Sequence, residues 1–475
     1  DRLVKTLLLA ALVPEVESLR ALNAEKLAAL NHGTIRTPIP GRESQEVLRR
    51  CRSWAAAVGE VRIGEEMNPG ISLQLTGVDT ESIIEQARKE DNQGNRIRLV
   101  REMLFSELGI EERNEFFLDY EFLWKNTSRK CELLFRNIRE LPDSSLDNDG
   151  EDWKLIIDWP FDEAGHGPRD DLSKLQEYLE KRPNGAKTLC WIPSFFSQDA
   201  MKDLGMLVVL QHILSGERFG QYANHLSPTD RQSAKALLEN QRSVLRHRVK
   251  SHLEAAYGLE TNDQHSLDTT HDLEMGERFI SMVPGFEPQP PPAANLGAAM
   301  QEFLGEALDH EFPAAPAFET EVRPTVIKKV YEVVQEAARA KDGRVFVDTN
   351  RRGLLRQIAN PLLLGEMAYD ATHFVLGQHW KNHFTRKAAE SGETVTVGRL
   401  RRWLDEPRAM GLPKEAQHLV ILAFADQTNR TFFLHGGPYA GSITDLPDAL
   451  ELREQRLPDE ASWNCAVTRA GHILG

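Results

Sequence analysis

The 475-residue sequence is poor in the features that would place it quickly. It has four cysteines, Cys51, Cys131, Cys190 and Cys465, too far apart to form a metal knuckle or a disulfide framework. It has no apolar run of the roughly 18–20 residues needed to cross a bilayer, and its best candidate, 7–13, is too short and lacks the shape of a secretory signal. It lacks an excess of positive charge: 57 Lys and Arg face 72 Asp and Glu, for a formal charge of −15. That excludes a surface uniformly coated with nucleic acid, so any DNA contact must come from a local basic patch. The GxxxxGK[ST] turn that holds nucleotide phosphates is absent. The nearest string, NGAKT at 184–188, has no upstream glycine and precedes a strand instead of following one. There is no GxSxG, HExxH or HxH. These absences leave a reducing, cytoplasmic setting, no membrane, and about three domains' worth of chain. The start at Asp1 without an initiator Met is read as the start of an excised portion of a longer protein.

What is present is mostly helical patterning. Leu3, Val4, Leu7, Leu8 and Ala11 share one helical face. A short helix is predicted over 24–30, and a third over 43–58 with Val47, Leu48, Cys51, Trp54, Ala55 and Val58 as its apolar stripe. Two short strands, 61–63 and 71–75, follow around an Asn-Pro-Gly turn. Three helices and a hairpin is the order of a winged helix. Residues 80–142 read as helical, including one long helix over 114–139. Residues 153–215 alternate strand and helix, a β-α-β-α rhythm that predicts parallel pairing. Ser227-Pro228 opens a long helix to Tyr257, with serine as N-cap and proline in the first turn. Its Arg242, Arg246, Arg248 and Lys250 give a wet face beside Leu238, Leu245, Val249 and Leu253.

The fold class expected is therefore α+β, predominantly helical, with winged-helix-like units and a small parallel α/β segment. The boundaries expected are a winged-helix-like domain at 1–79, a helical region at 80–142, an α/β segment with its long helix at 150–260, a polar, proline-rich linker at 261–295, and a helical C-terminal domain at 296–475. In that last domain helices are expected at 296–309, 324–341, 354–386 (broken near Asn360-Pro361), 398–404 and 413–426. Strands at 394–397 and 431–434 would allow a second winged-helix-like unit.

Two stretches carry candidate chemistry. KLIIDWPFDEAGHG (154–167) has the outline of a strand delivering carboxylates, as an ATPase presents its magnesium-binding aspartate and catalytic glutamate. Asp158, Asp162 and Glu163 are the catalytic candidates on that reading. With His166, Asp170 and Asp171 they could also offer metal ligands. The competing reading is that Asp158 and Asp162 accept hydrogen bonds from turn amides beyond a buried strand. His265 and His271 fit a polar linker better than a ligand pair. The second stretch runs from Arg36 to Arg62. Its six arginines, Arg36, Arg42, Arg49, Arg50, Arg52 and Arg62, face three glutamates. Arg42 and Arg49 lie opposite the apolar stripe of the third helix, and Arg62 sits on the hairpin. Such a face meets the major groove and phosphates in a winged helix, or stays a solvated surface.

Several long strings together resemble one family. LVKTLLLAALVPEVESLRALNAEKLAALNHGTIRTPIPGRE, LQLTGVDTESII, KLIIDWPFDEAGHGPRDDL, CWIPSFFS and LSPTDRQSAKALLENQRSVLR look like the PglY-type large ATPases of phage growth limitation and type 2 BREX defence. The resemblance covers about 1–260 and runs on more loosely through VGRLRRWLDEPRAMGLPKEAQHLVILAFAD. It implies a cytoplasmic anti-phage protein with a P-loop domain using ATP and Mg, working with a methyltransferase and a phosphatase-like partner. No phosphate-binding residue carries over to this chain. The reading that follows is a non-catalytic portion that engages DNA and contacts the rest of its own protein and its defence partners. The alternatives are a nucleotide-dependent site over 154–193 and a pure assembly scaffold.

Overall fold

The computed structural model describes the chain except residues 14–15, 38, 65, 67, 76–77, 112–117, 149, 260–265, 271, 456–459 and 475. His265 and His271 thus lie outside the described residues. The chain divides into two units: Asp1–Leu118 with Glu132–Phe303, and Asp119–Cys131 with Leu304–Gly475.

The first unit opens with α1 (Arg2–Leu12), α2 (Ala24–Leu30) and α3 (Glu43–Ala57). The hairpin β1 (Val61–Ile63) and β2 (Ile71–Leu73) follows, antiparallel, with Arg62 opposite Ser72. Asn23 caps α2 by accepting the Lys26 amide at 2.8 Å. The segment before α2 joins the hairpin: the Ile71 amide donates to the Leu22 carbonyl at 2.7 Å, and Asn23 bridges Gly70. Leu3, Leu7, Leu22, Leu27, Val47, Cys51 and Ile71 form the shared core. Next come α4 (Glu81–Ala87) and α5 (Gln93–Leu108), the latter ended by Gly109 in the left-handed region at φ 70°.

Of the long helix expected over 114–139, residues 114–117 lie outside the described residues, and 118–135 form a β-hairpin instead, of which Asp119–Cys131 is counted with the second unit. Strands β3 (Leu118–Trp124) and β4 (Thr127–Phe135) bury alternate residues, Leu118, Phe122 and Trp124 on one and Thr127 and Cys131 on the other. That is a period of two, not 3.6. Lys125 and Asn126 turn between them at φ 47° and 59°, the two positive angles a tight hairpin turn requires, but without the glycine that advertises it in sequence.

Helix α6 (Asp143–Leu146), β5 (Trp153–Ile157), α7 (Pro168–Lys181) and β6 (Thr188–Trp191) continue the unit. Strands β5 and β6 are parallel, Leu155 opposite Leu189, as the rhythm predicted. Every residue of both strands is buried, the pattern of a parallel strand covered on both faces. Helices α8 (Gln198–Leu214), α9 (Arg218–Tyr222) and α10 (Pro228–Ala256) follow, α10 capped by Ser227. The stretch read as linker, 261–295, contains β7 (Phe279–Ser281), which pairs antiparallel with β6 and closes a sheet ordered β3-β4-β5-β6-β7. Phe279, Met282 and Phe286 are buried, so this part of the segment belongs to the core; its proline-rich run, 288–292, comes afterwards. Helix α11 (Leu296–Glu311) carries the chain on to the second unit.

In the second unit α12 (Pro324–Arg339) precedes β8 (Arg344–Phe346) and α13 (Thr349–Leu354). The single broken helix expected over 354–386 is replaced by a π-helical turn at Leu355–Ala359, then β9 (Gly365–Glu366), β10 (His373–Leu376) and α14 (His379–Ser391). Pro361 and Gly365 break the helical run and free the chain for a small sheet, β8-β10-β9. Helices α15 (Val397–Leu404) and α16 (Lys414–Gln427) lead to β11 (Arg430–Leu434), β12 (Gly437–Tyr439) and β13 (Glu451–Glu454), ordered β12-β11-β13. The strand expected at 394–397 reduces to one bridge, Thr396 to Glu451, and Thr396 is the N-cap of α15. The chain then forms α17 (Glu460–Leu474). No described helix is long and apolar enough to cross a membrane.

Candidate nucleic-acid interface and the buried carboxylates

Helix α3 is held at its C-terminal end. Gln241 of α10, itself buried, donates to the Ala56 carbonyl at 2.8 Å, and Asn240 donates to the carbonyls of Gly59 and Val61 at 3.2 and 3.1 Å. These side chains satisfy acceptors a helix end leaves open. Gly59 permits the approach, since a Cβ there would lie 2.9 Å from the Leu237 carbonyl oxygen. With Val47, Cys51 and Ala55 turned into the core, the opposite face is exposed over Arg42, Gln45, Arg49, Arg52 and Ser53.

Of the arginines predicted to form a site, the structure brings Arg42, Arg49 and Arg52 onto this face. Arg50 is turned to its flank. Arg36 is exposed in the loop before α3, and Arg62 is half-buried on β1 with its Nε buried and without a partner. Glu46 sits between two of them. Arg49 donates to it through Nε and Nη2 at 2.8 and 2.9 Å, and Arg50 through Nε at 2.6 Å. The Arg49 hydrogen bonds hold the Glu46 carboxyl down at about 2 despite partial burial, with Arg50 adding to the effect. One carboxylate shared by two guanidiniums leaves a net positive charge on that turn. Gln45, on the same face one turn before Arg49, escaped the sequence reading because it carries no charge; its i, i+4 spacing to Arg49 was the available signal.

Of the carboxylates of the other stretch, Asp158 and Asp171 are brought together, while Glu163 points away. Asp158 directly follows buried β5 and is itself fully buried. It accepts the Trp159 amide at 2.7 Å and the Ile138 amide at 3.3 Å, while the Tyr257 hydroxyl donates to its backbone carbonyl. Asp171, on α7, is buried beside it and accepts the Arg139 amide at 3.0 Å. Burial, and then the neighbouring Asp171, push Asp158 well above the carboxylate range; burial likewise pushes Asp171 up to about 7. Asp162 is instead gripped by Arg139, at 2.9 and 3.1 Å, and accepts the Glu163 amide at 2.7 Å. Burial opposes its charge, but these donors outweigh it and lower its pKa. Glu163 is exposed. Asp162 lines a cleft of about 190 Å³ with Gln93, Arg101, Phe135, Arg136 and Trp159, beside the ends of β4 and β5. Among the described residues no cluster of three or more His, Cys, Asp or Glu could hold a metal ion. Arg139, which holds Asp162 charged, and Asp171, which adds to the effect of burial on Asp158, were not singled out for that part because they lie far along the chain from their partners.

Three domain families match the chain. Residues 1–67 match the BREX System ATPase PglY protein 2nd domain, 83–312 the PglY fourth domain, and 325–425 the BREX System ATPase PglY protein 5th domain. The chain belongs to the PglY family of BREX phage-defence ATPases. The resemblance read from its long strings is thereby confirmed. The PglY second domain takes in α1–α3 and β1, and hence the arginine face. The PglY fourth domain takes in the β3–β7 sheet and the buried carboxylates. No solved structure matches the chain.

Proposed function

We propose that this part of the PglY protein engages duplex DNA through α3 of a winged-helix domain. The observation that carries the reading is the exposed row Arg42, Gln45, Arg49 and Arg52 on a helix anchored at its far end by α10. The element order supports it: three helices, a bridge from Asn23 to Gly70, and an antiparallel hairpin. In that architecture the third helix enters the major groove and the hairpin meets the backbone. Arginines on the helix neutralise phosphates, and Gln45 and Arg49 are suited to base edges, glutamine to adenine and arginine to guanine.

Among the described residues the second unit offers no equivalent reader. Its α14, α15, α16, β11 and β13, with the Thr396–Glu451 bridge, repeat the same order, but α16 is buried from His418 to Ala425 and packs against α12. We assign DNA reading to α3 for that reason, and treat the second repeat as structural. ATP and Mg are assigned to other parts of the PglY protein, and a methyltransferase and a phosphatase-like protein to the list of partners to be sought by co-purification.

The test is fluorescence anisotropy of a random duplex with the whole chain, at low and at physiological salt. Binding that weakens steeply with salt is expected. The Arg42→Ala/Arg49→Ala/Arg52→Ala variant, checked by circular dichroism, should bind more weakly across all sequences. The magnitude of its salt slope should fall by about two to three. Unchanged binding by that variant, or no binding by the parent at low salt, removes the proposal. Calorimetric titration with Mg-ATP addresses the nucleotide alternative over 154–193: heat at millimolar nucleotide or below would move the function there.

A further inference from the structure

We propose that the outward face of the β8-β10-β9 sheet in the second unit is a stacking platform for single-stranded nucleic acid. The sheet has two faces. Phe374 and Leu376 of β10 point inward and are buried, with Val347 just past β8. The residues alternating with them point out, and the register sets them in two rows. Phe346 stands opposite His373, and Arg344, Val375 and Glu366 lie side by side. Phe346 is 59% exposed, and Tyr369, in the connection from β9 to β10, is 90% exposed.

Each open ring has a guanidinium beside it. Arg356 lies over Tyr369, 4.6 Å from the ring centroid. Arg352 lies 5.9 Å from the centroid of Phe346, steadied by its Nε donating to the Val347 carbonyl at 2.9 Å. The His373 ring meets Phe346 edge-on at 5.7 Å. An arginine on one face of a ring leaves the other face for a base, giving a guanidinium–ring–base stack. Among the described residues Arg344, Arg352 and Arg356 have no carboxylate partner, although the chain has 72 acids for 57 basic residues. Their neighbour Arg351 does have one, Glu332 at 3.1 Å. Glu366 occupies the end of its row away from β8, and Asp370 follows Tyr369, so the anionic strand would run along the Arg344–Phe346 side.

Flat rings backed by guanidiniums without a carboxylate partner match a ligand that alternates flat bases with phosphates. A duplex hides its base faces, so the ligand is a single strand. This inference stands apart from the α3 reading: it rests on different residues, in the other unit, and predicts a different nucleic acid.

The experiment uses the whole chain with a short fluorescein-labelled oligothymidylate, by anisotropy at low and physiological salt. Tyr369→Ala and Phe346→Ala should each weaken binding by roughly tenfold or more, the scale of one lost base stack. Tyr369→Trp should retain it, and Arg352→Gln/Arg356→Gln should lower both affinity and salt slope. In the α3 triple-alanine background, Tyr369→Ala should still weaken single-strand binding by the same factor. Both rings are exposed, so the alanine variants should keep the parent's melting temperature, which is to be confirmed. The proposal is overturned if the parent binds no single strand at low salt, or if the folded ring variants bind it unchanged. It is also overturned if poly-glutamate competes as well as unlabelled oligothymidylate does, which would make the face a docking site for acidic protein.

Discussion

Asp158 and Asp171 show how far a residue's chemistry depends on a neighbour the sequence does not mark. Strand-end position and the turn beyond it were legible from KLIID and the following Pro and Gly residues. Invisible was that a second carboxyl, one helix on, would be buried against the first. Asp171 Oδ2 is buried and has no hydrogen-bond donor unless one carboxyl of the pair is protonated. Burial beside one another therefore favours the protonated form of both in the native state. The folded pKa of Asp171, about 7, lies above the roughly 3.9 of an unfolded aspartate. The native state then binds more protons than the unfolded state between those values, so the pair's contribution to stability is fully present at low pH and is lost as pH rises toward 7. Asp171→Asn removes the ionisation while its amide can still accept from the Arg139 backbone and donate to Asp158. Its melting temperature relative to the parent should climb from about pH 5 to about pH 8, where the parent carries the full cost of the buried charge. A difference that stays constant over that range would mean the pair does not titrate as described.

Among the elements, those with strong local signatures were readable and those decided by long-range pairing were not. Helices α2, α3, α10 and α15 announce themselves through caps and apolar stripes: Asn23, Ser227 and Thr396 each accept an amide of the first turn. The β3–β4 hairpin did not, because a Lys-Asn turn lacks the usual glycine and its strands carry charged residues on the wet side. Strand β7 hid in a polar, proline-rich stretch because three residues suffice when the partner, β6, is already in place. The α3–α10 contact is likewise beyond local reading, and it can be tested directly. Gly59→Ala would set a Cβ 2.9 Å from the Leu237 carbonyl and force the two helices apart. Overpacking of this kind costs about 1–3 kcal/mol. Denaturant unfolding should show that loss, and duplex binding should weaken with it, since α3 would lose its anchor. Unchanged stability would mean the junction yields freely and does not fix the helix.

The whole chain is acidic, and that sets what a basic patch on it can achieve. Its family was legible in long strings of sequence. The assignment of Asp119–Cys131 to the second unit was not, because contacts between distant segments leave no local trace. With a formal charge of −15, most of the surface repels a polyanion, so on the proposed reading duplex DNA would be confined to the arginine face and would not wrap the protein. The number of phosphates that can be neutralised is bounded by the arginines at hand: Arg42, Arg49 and Arg52 on the helix, with Arg36 and Arg62 flanking them. At about 0.9 per phosphate, a plot of log affinity against log salt should have a slope between about −3 and −5 for the intact chain. A slope near −10 would require a far wider basic surface than this sequence possesses, and would place the contact somewhere other than α3. A slope near zero would mean that whatever binds does so without meeting phosphates. A value inside the predicted window that shrinks when the three helix arginines are removed ties the charge count of the sequence to one face of one helix.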